Sequence, residues 1–262
     1  MARTIRIGLL GNCYIFGYPG VRPRDTFPEI ARRRIEAERP GVQVELVRGA
    51  VYHPADLGRQ VSRFLAKQPP EVLIVDAPAS PVAANVTPRV DVRGLPSGAA
   101  RLIDGAQLGL TILRALSNRH GVIRPVIRTA DHIARSLVDR KVLPLQRHAP
   151  PTLEDYERFL EEAIGLVAAA PKTMLIVQGP SAFNNDVSHH RYKPTTLQVY
   201  RDVNAMVKRV TAAHDVAMID RQQFLEGSDH GMFLGNTIRM SPAGHLITGH
   251  ELANAILATQ IP

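Results

Sequence analysis

The sequence predicts an α/β fold, a doubly wound parallel sheet of five strands with helices on both faces. Three observations carry this. Runs at residues 5–10, 42–47, 72–75, 174–177 and 216–219 are short and rich in Val, Ile and Leu, as strands buried on both faces are. Segments with helical periodicity lie between them, and this alternation marks strands joined by crossover helices. The chain has 262 residues, 45% of them apolar, which is enough for one large core.

The run at 5–10 reads as the first strand; it is too short for a leader and no small-residue cleavage site follows it. A helix is expected over 27–38, closed by Pro40-Gly41. The second strand, 42–47, leads through Arg48-Gly49-Ala50 to a helix over 55–66. The third strand, 72–75, ends at Asp76-Ala77-Pro78-Ala79-Ser80. Residues 77–151 hold eight prolines with helical patches such as 102–116, and read as a helical insertion in a single domain spanning 1–262. Thr152 is an N-cap candidate for a helix over 153–169, and strand 174–177 follows. A helix over 197–213, strand 216–219 and a last helix over 242–258 complete the pattern. Ser241-Pro242 supplies the last helix with a cap and a first-turn proline.

The net charge is +8, which favours anionic partners. The arginines are nonetheless scattered among acidic residues, Trp is absent and aromatics are 5%. Neither a nucleic-acid motif nor a base-stacking platform is legible. No stretch approaches the roughly 20 apolar residues that span a bilayer, so no membrane partner is expected, and a cytoplasmic location is the default. The single cysteine excludes an internal disulfide. Gly8-x-x-Gly11 is too short for a dinucleotide fingerprint. Asn184, Asn185, Asp186, His189 and His190 share a loop without metal-ligand spacing. No cofactor and no metal are expected, and the oligomeric state is left open.

Ligands of open α/β sheets bind beyond the carboxyl ends of the strands, so the turns there hold the candidates. Gly11-Asn12-Cys13-x-x-x-Gly17, following the first strand, resembles the Gly-Asp-Ser-x-x-x-Gly block of SGNH/GDSL hydrolases, whose serine is the nucleophile. Gly49 is similar to the family's second-block glycine, an oxyanion donor. Asn236-x-x-Arg239 followed by Ser241-Pro242-Ala243-Gly244-His245 resembles the last block, Asp-x-x-His with a Ser-Pro-x-Gly-His helix start. The pieces run in family order over nearly the whole chain. The resemblance implies the SGNH-hydrolase three-layer sandwich, of flavodoxin-like kind, and an acyl ester or thioester substrate that is a small molecule or carrier-protein-bound. The departures are chemical. Asn12 and Cys13 replace Asp and Ser, Ala77-Pro78-Ala79-Ser80 replaces Gly-x-Asn-Asp, and Asn236 and Arg239 replace the catalytic Asp and His.

Cys13 opens a turn where backbone amides stabilise a thiolate, so a depressed thiol pKa is expected, helped by Arg239. Arg239 cannot be a general base, but it can bind a carboxylate or phosphate. His230 is the first candidate base, with His53 a second, and His245 reads as structural. Asn12, Gly49, Asn236 and Arg239 are the candidate oxyanion or substrate-binding residues. Two functions compete. One is a cysteine-dependent hydrolase or acyltransferase with Cys13 attacking and His230 moving the proton. The other is a non-catalytic protein of the same fold that binds an anionic small molecule.

Overall fold

The computed structural model describes residues 3–18, 20–51, 53–67, 69–83, 151–182, 196–225, 231–234 and 239–259, and the backbone alone of 87–90, 145–148 and 230. The chain divides into two compact units, 1–85 with 150–262, and 86–149.

The first unit holds the sheet. β1 (Arg3–Gly11) leads to α1 (Phe27–Glu38), β2 (Val42–Ala50), α2 (Leu57–Lys67), β3 (Val72–Asp76) and the short α3 (Ser80–Ala83). In the second unit, β4 (Thr87–Val90) and β5 (Leu145–His148) form an antiparallel pair, with Thr87 opposite His148. The helix expected over 102–116 lies outside the described residues. The first unit resumes with α4 (Leu153–Ala168), β6 (Met174–Gln178), α5 (Thr196–Ala213), β7 (Ala217–Ile219), α6 (Arg221–Leu225) and α7 (Pro242–Ala258).

The five strands of the sheet run parallel in the order β2-β1-β3-β6-β7. β3 is buried along its whole length, which explains its unbroken run of apolar residues up to Asp76. β2 is an edge strand and half-exposed, so polar residues alternate through it. That alternation hides its end, and the strand runs three residues beyond the expected 47, through Arg48-Gly49-Ala50.

Two apolar layers sandwich the sheet. On one face α2, α4 and α5 pack Val61, Leu160 and Val203 against Leu73, Val75 and Val177. On the other, α1 and α7 pack Phe27, Ile35, Leu252 and Ile256 against Ile5, Ile7, Ile74 and Ile176. α1 and α7 touch closely at Gly249, where a Cβ would stand 2.7 Å from Ile30 Cβ and 2.8 Å from the Phe27 carbonyl oxygen. Thr152 accepts from the Asp155 N–H at 3.0 Å and completes a capping box. Ser241 caps α7 by accepting from the Gly244 N–H at 3.2 Å, with Pro242 in its first turn.

Candidate functional site

Strand addition reverses direction around β1: β2 joins one side of it and β3 the other. The carboxyl ends of β1 and β3 therefore flank a crevice of the kind that receives ligands in such sheets. Asn12 follows β1, and its Oδ1 accepts from the Tyr14 N–H at 3.0 Å. That bond caps the 3-10 turn Cys13–Ile15. Phe16 and Gly17 N–H groups donate to the Cys13 carbonyl at 3.2 and 3.1 Å and tighten the turn.

Cys13 is half-buried and packs against the apolar layer under α1 and α7. Burial pushes its thiol above the ordinary 9.0; the Arg239 guanidinium pulls it down, Asp76 pushes it up, and its own backbone N–H pulls it down. The net shift is upward, which corrects the expected depressed pKa. Turn amides and one arginine act on the sulfur as anticipated, but desolvation outweighs them.

Arg239 is exposed, and its guanidinium carbon lies 5.4 Å from the centre of the Tyr18 ring. Its carbonyl accepts from the Leu234 N–H at 2.8 Å, beside the Phe233–Met240 bridge. Cys13, Asn12 and Arg239 thus share one neighbourhood. Gly49 is not in the expected turn; it lies inside β2 opposite Leu10. The Val51 N–H donates to the Gly11 carbonyl at 2.7 Å, and the two-residue repeat of a strand turns the Gly49 N–H to the same side, toward β1. Its missing side chain makes room for packing, since a Cβ would stand 2.6 Å from the Phe64 ring and 2.7 Å from Leu10 Cδ2. His230 opens the 3-10 turn His230–Met232, but its side chain, like Asn236, Asp229, His189 and His190, lies outside the described residues. The turn is tied to α7 by Ser241, whose N–H donates to the Met232 carbonyl at 2.8 Å and whose hydroxyl donates to the Gly231 carbonyl. His53 Nδ1 accepts from the Ala55 N–H at 3.2 Å, and with Asp76 and Tyr156 it lines a small pocket between the ends of β2 and β3.

His245 is structural. Its Nδ1 accepts from the Phe27 N–H at 3.1 Å, the first amide of α1. The proton therefore resides on Nε2, which faces the Tyr18 hydroxyl at 2.9 Å, and that hydroxyl donates to the Met240 carbonyl at 2.7 Å. Burial, and secondarily Arg221, lowers the pKa of the ring to about 3.

Beneath the Cys13 turn lies a polar layer that sequence reasoning missed. Asp76 and Gln178 end β3 and β6 in register, and both are buried. Arg221, at the start of α6, is fully buried. It donates from Nη2 to the Asp76 carboxylate and from Nε to the Gly179 carbonyl at 2.6 Å, while its guanidinium lies 5.8 Å from the Tyr14 ring centre. Asp76 was visible as a polar end to an apolar run. Nothing in the sequence distinguishes Arg221 from the other 31 basic residues among the 32 Lys and Arg. Among the described residues no group of three or more His, Cys, Asp or Glu is placed to hold a metal, and no helix is long and apolar enough to cross a membrane.

The structure is similar to the lipase/acylhydrolase from Enterococcus faecalis, at 14% identity over 97% of this chain and 96% of that one, with a TM-score of 0.55. It is likewise similar to a member of the lipolytic protein G-D-S-L family from Veillonella parvula DSM 2008, at 13% identity over 97% and 100% of the chains, with a TM-score of 0.53. The fold is that of the GDSL lipolytic proteins. The chain is also similar to an acetyl xylan esterase, AlAXEase, at 11% identity over 96% of this chain and 100% of that one, with a TM-score of 0.56. No protein-family model and no curated protein matches the sequence. The likeness thus runs over nearly the whole chain at low sequence identity.

Proposed function

We propose that this chain is an acyl hydrolase or acyltransferase on the GDSL fold, acting on an ester or thioester through Cys13. The observation that carries this reading is the seat of the sulfur. Cys13 opens the turn beyond the carboxyl end of β1, with its own N–H and the Arg239 guanidinium both favouring a thiolate. In the reaction the sulfur adds to the acyl carbonyl, and the alkoxide or thiolate leaving group departs with the thiol's proton. Water or an acceptor then attacks the acyl-thioester and releases Cys13. His230 is the proposed proton carrier, on a turn that Ser241 ties to the start of α7. The basic balance of the chain, +8, suits an acidic carrier protein as the bearer of the acyl group.

A second reading is favoured by other observations. Burial holds the thiol above its ordinary range, and the Gly49 amide faces β1 rather than the crevice. A non-catalytic protein binding an anionic small molecule fits those facts. A panel of short acyl esters and thioesters separates the two. Under the first reading wild type turns over part of the panel, and Cys13→Ala lowers the rate at least about a hundredfold. Equal background rates for both proteins would leave the binding reading standing.

A further inference from the structure

The turn that carries Cys13 begins directly over the buried pair of Asp76 and Arg221. Leu10 lies opposite Val75 where β1 pairs with β3, so Gly11 and Asp76 come next, side by side at the strand ends. The approach is close. A Cβ at Gly11 would stand 2.8 Å from Asp76 Cβ, 3.3 Å from its Oδ2 and 3.4 Å from Ile15 Cγ2. Asp76 and Ile15 thus both crowd the Gly11 Cα, and the carboxylate sits where β1 passes into the turn. The Asn12 N–H is near enough to favour its charged form. From the other side Arg221 fixes it, donating to Asp76 and, at 2.6 Å, to the Gly179 carbonyl. The guanidinium carbon stands 5.8 Å from the ring centre of Tyr14, the residue after Cys13. As a source of stability the pair is poor. Both side chains are buried, and among the described residues Asp76 Oδ2 and Arg221 Nη1 have no hydrogen-bond partner. Apolar side chains of like volume hold such a position as well or better. What they would lack is a fixed carboxylate under the turn.

We infer that Asp76, held by Arg221, is a positioning residue for Cys13: it anchors the start of the turn from below and sets the charge under the sulfur. This rests on the reading of Cys13 as the residue that meets substrate, but its test does not need acyl turnover.

The readout is the rate at which iodoacetamide labels Cys13 in the native protein as pH is raised. In that reaction the thiolate sulfur bonds to the methylene carbon and iodide leaves. The midpoint of the profile reports the field at the thiol, and the plateau reports how the turn presents the thiolate. Asp76→Asn keeps an acceptor for Arg221 and for the Asn12 N–H but removes the charge. Its midpoint should fall, which raises the rate at about pH 8 by about threefold, and its plateau should stay. Asp76→Leu combined with Arg221→Met removes the anchor and leaves no buried charge behind. Its plateau should rise at least about threefold, as the turn loosens and uncovers the sulfur. Urea midpoints establish that each variant is folded. A wild-type plateau in the folded double variant would make the pair a stability feature alone and overturn the inference. So would an unshifted midpoint in Asp76→Asn, or a native protein that iodoacetamide does not label. Both shifts in a protein that cleaves no acyl substrate would keep the positioning role and remove the acyl chemistry. Cys13-dependent turnover with neither shift would do the reverse.

Discussion

At Cys13 the fields acting on the thiol have opposite signs. Burial under α1 and α7 raises its pKa, and Arg239 lowers it. The rate of iodoacetamide labelling should therefore rise with pH to a midpoint above 9.0, the ordinary value. Arg239→Gln should move that midpoint further up, because only a lowering influence is lost. The sign for stability follows. A thiol whose folded value exceeds its unfolded one contributes fully below pH 9, and that contribution is lost as pH climbs through the folded value. A pH series of urea midpoints, wild type against Cys13→Ala, measures it. The position of Cys13 was legible, because Gly-Asn-Cys follows an apolar run. The direction of its shift was not. The apolar cluster it packs against draws on residues as remote in sequence as Met240 and Leu252, and no local pattern reports that.

Among the elements, α7 is the one whose sequence says most. Its start, Ser241-Pro242, was readable from capping chemistry, and the helix runs over the expected 242–258. What the pattern did not give was the partner of His245, which satisfies the first amide of α1 while Thr26, the residue capping that helix, makes no side-chain cap bond. A ring held neutral from 6.5 down to about 3 makes the protein acid-sensitive. Its contribution is complete above pH 6.5 and shrinks as pH falls to about 3, by as much as about 5 kcal/mol in total. His245→Gln should cost about 2 kcal/mol at neutral pH, through weakened bonds to Phe27 and Tyr18. It should also flatten the fall in stability between pH 6 and 4. Denaturant midpoints across that range test both parts, and an equally steep acid limb in the variant would assign the sensitivity elsewhere.

Over the whole molecule, the strand order and the two apolar layers follow from alternation and burial, which sequence periodicity conveys. The buried ion pair does not, since Asp76 and Arg221 lie 145 residues apart. Among the described residues, Asp76 Oδ2, Arg221 Nη1 and both amide atoms of Gln178 have no hydrogen-bond partner, so the layer is held at a cost that an apolar one would avoid. Arg221→Met alone should therefore destabilise the protein by about 3–5 kcal/mol, by stranding a carboxylate. Combined with Asp76→Leu it should recover most of that loss, as read by thermal or urea unfolding. The bond from Tyr18 to Met240 has a different consequence, for it closes over 222 residues. A ribosome adding about 5–20 residues per second needs roughly 10–45 s to cross that interval. Through all of it the nascent chain lacks the Tyr18–Met240 bond, so the segment that follows Cys13 is tied down only once nearly the whole chain has been made.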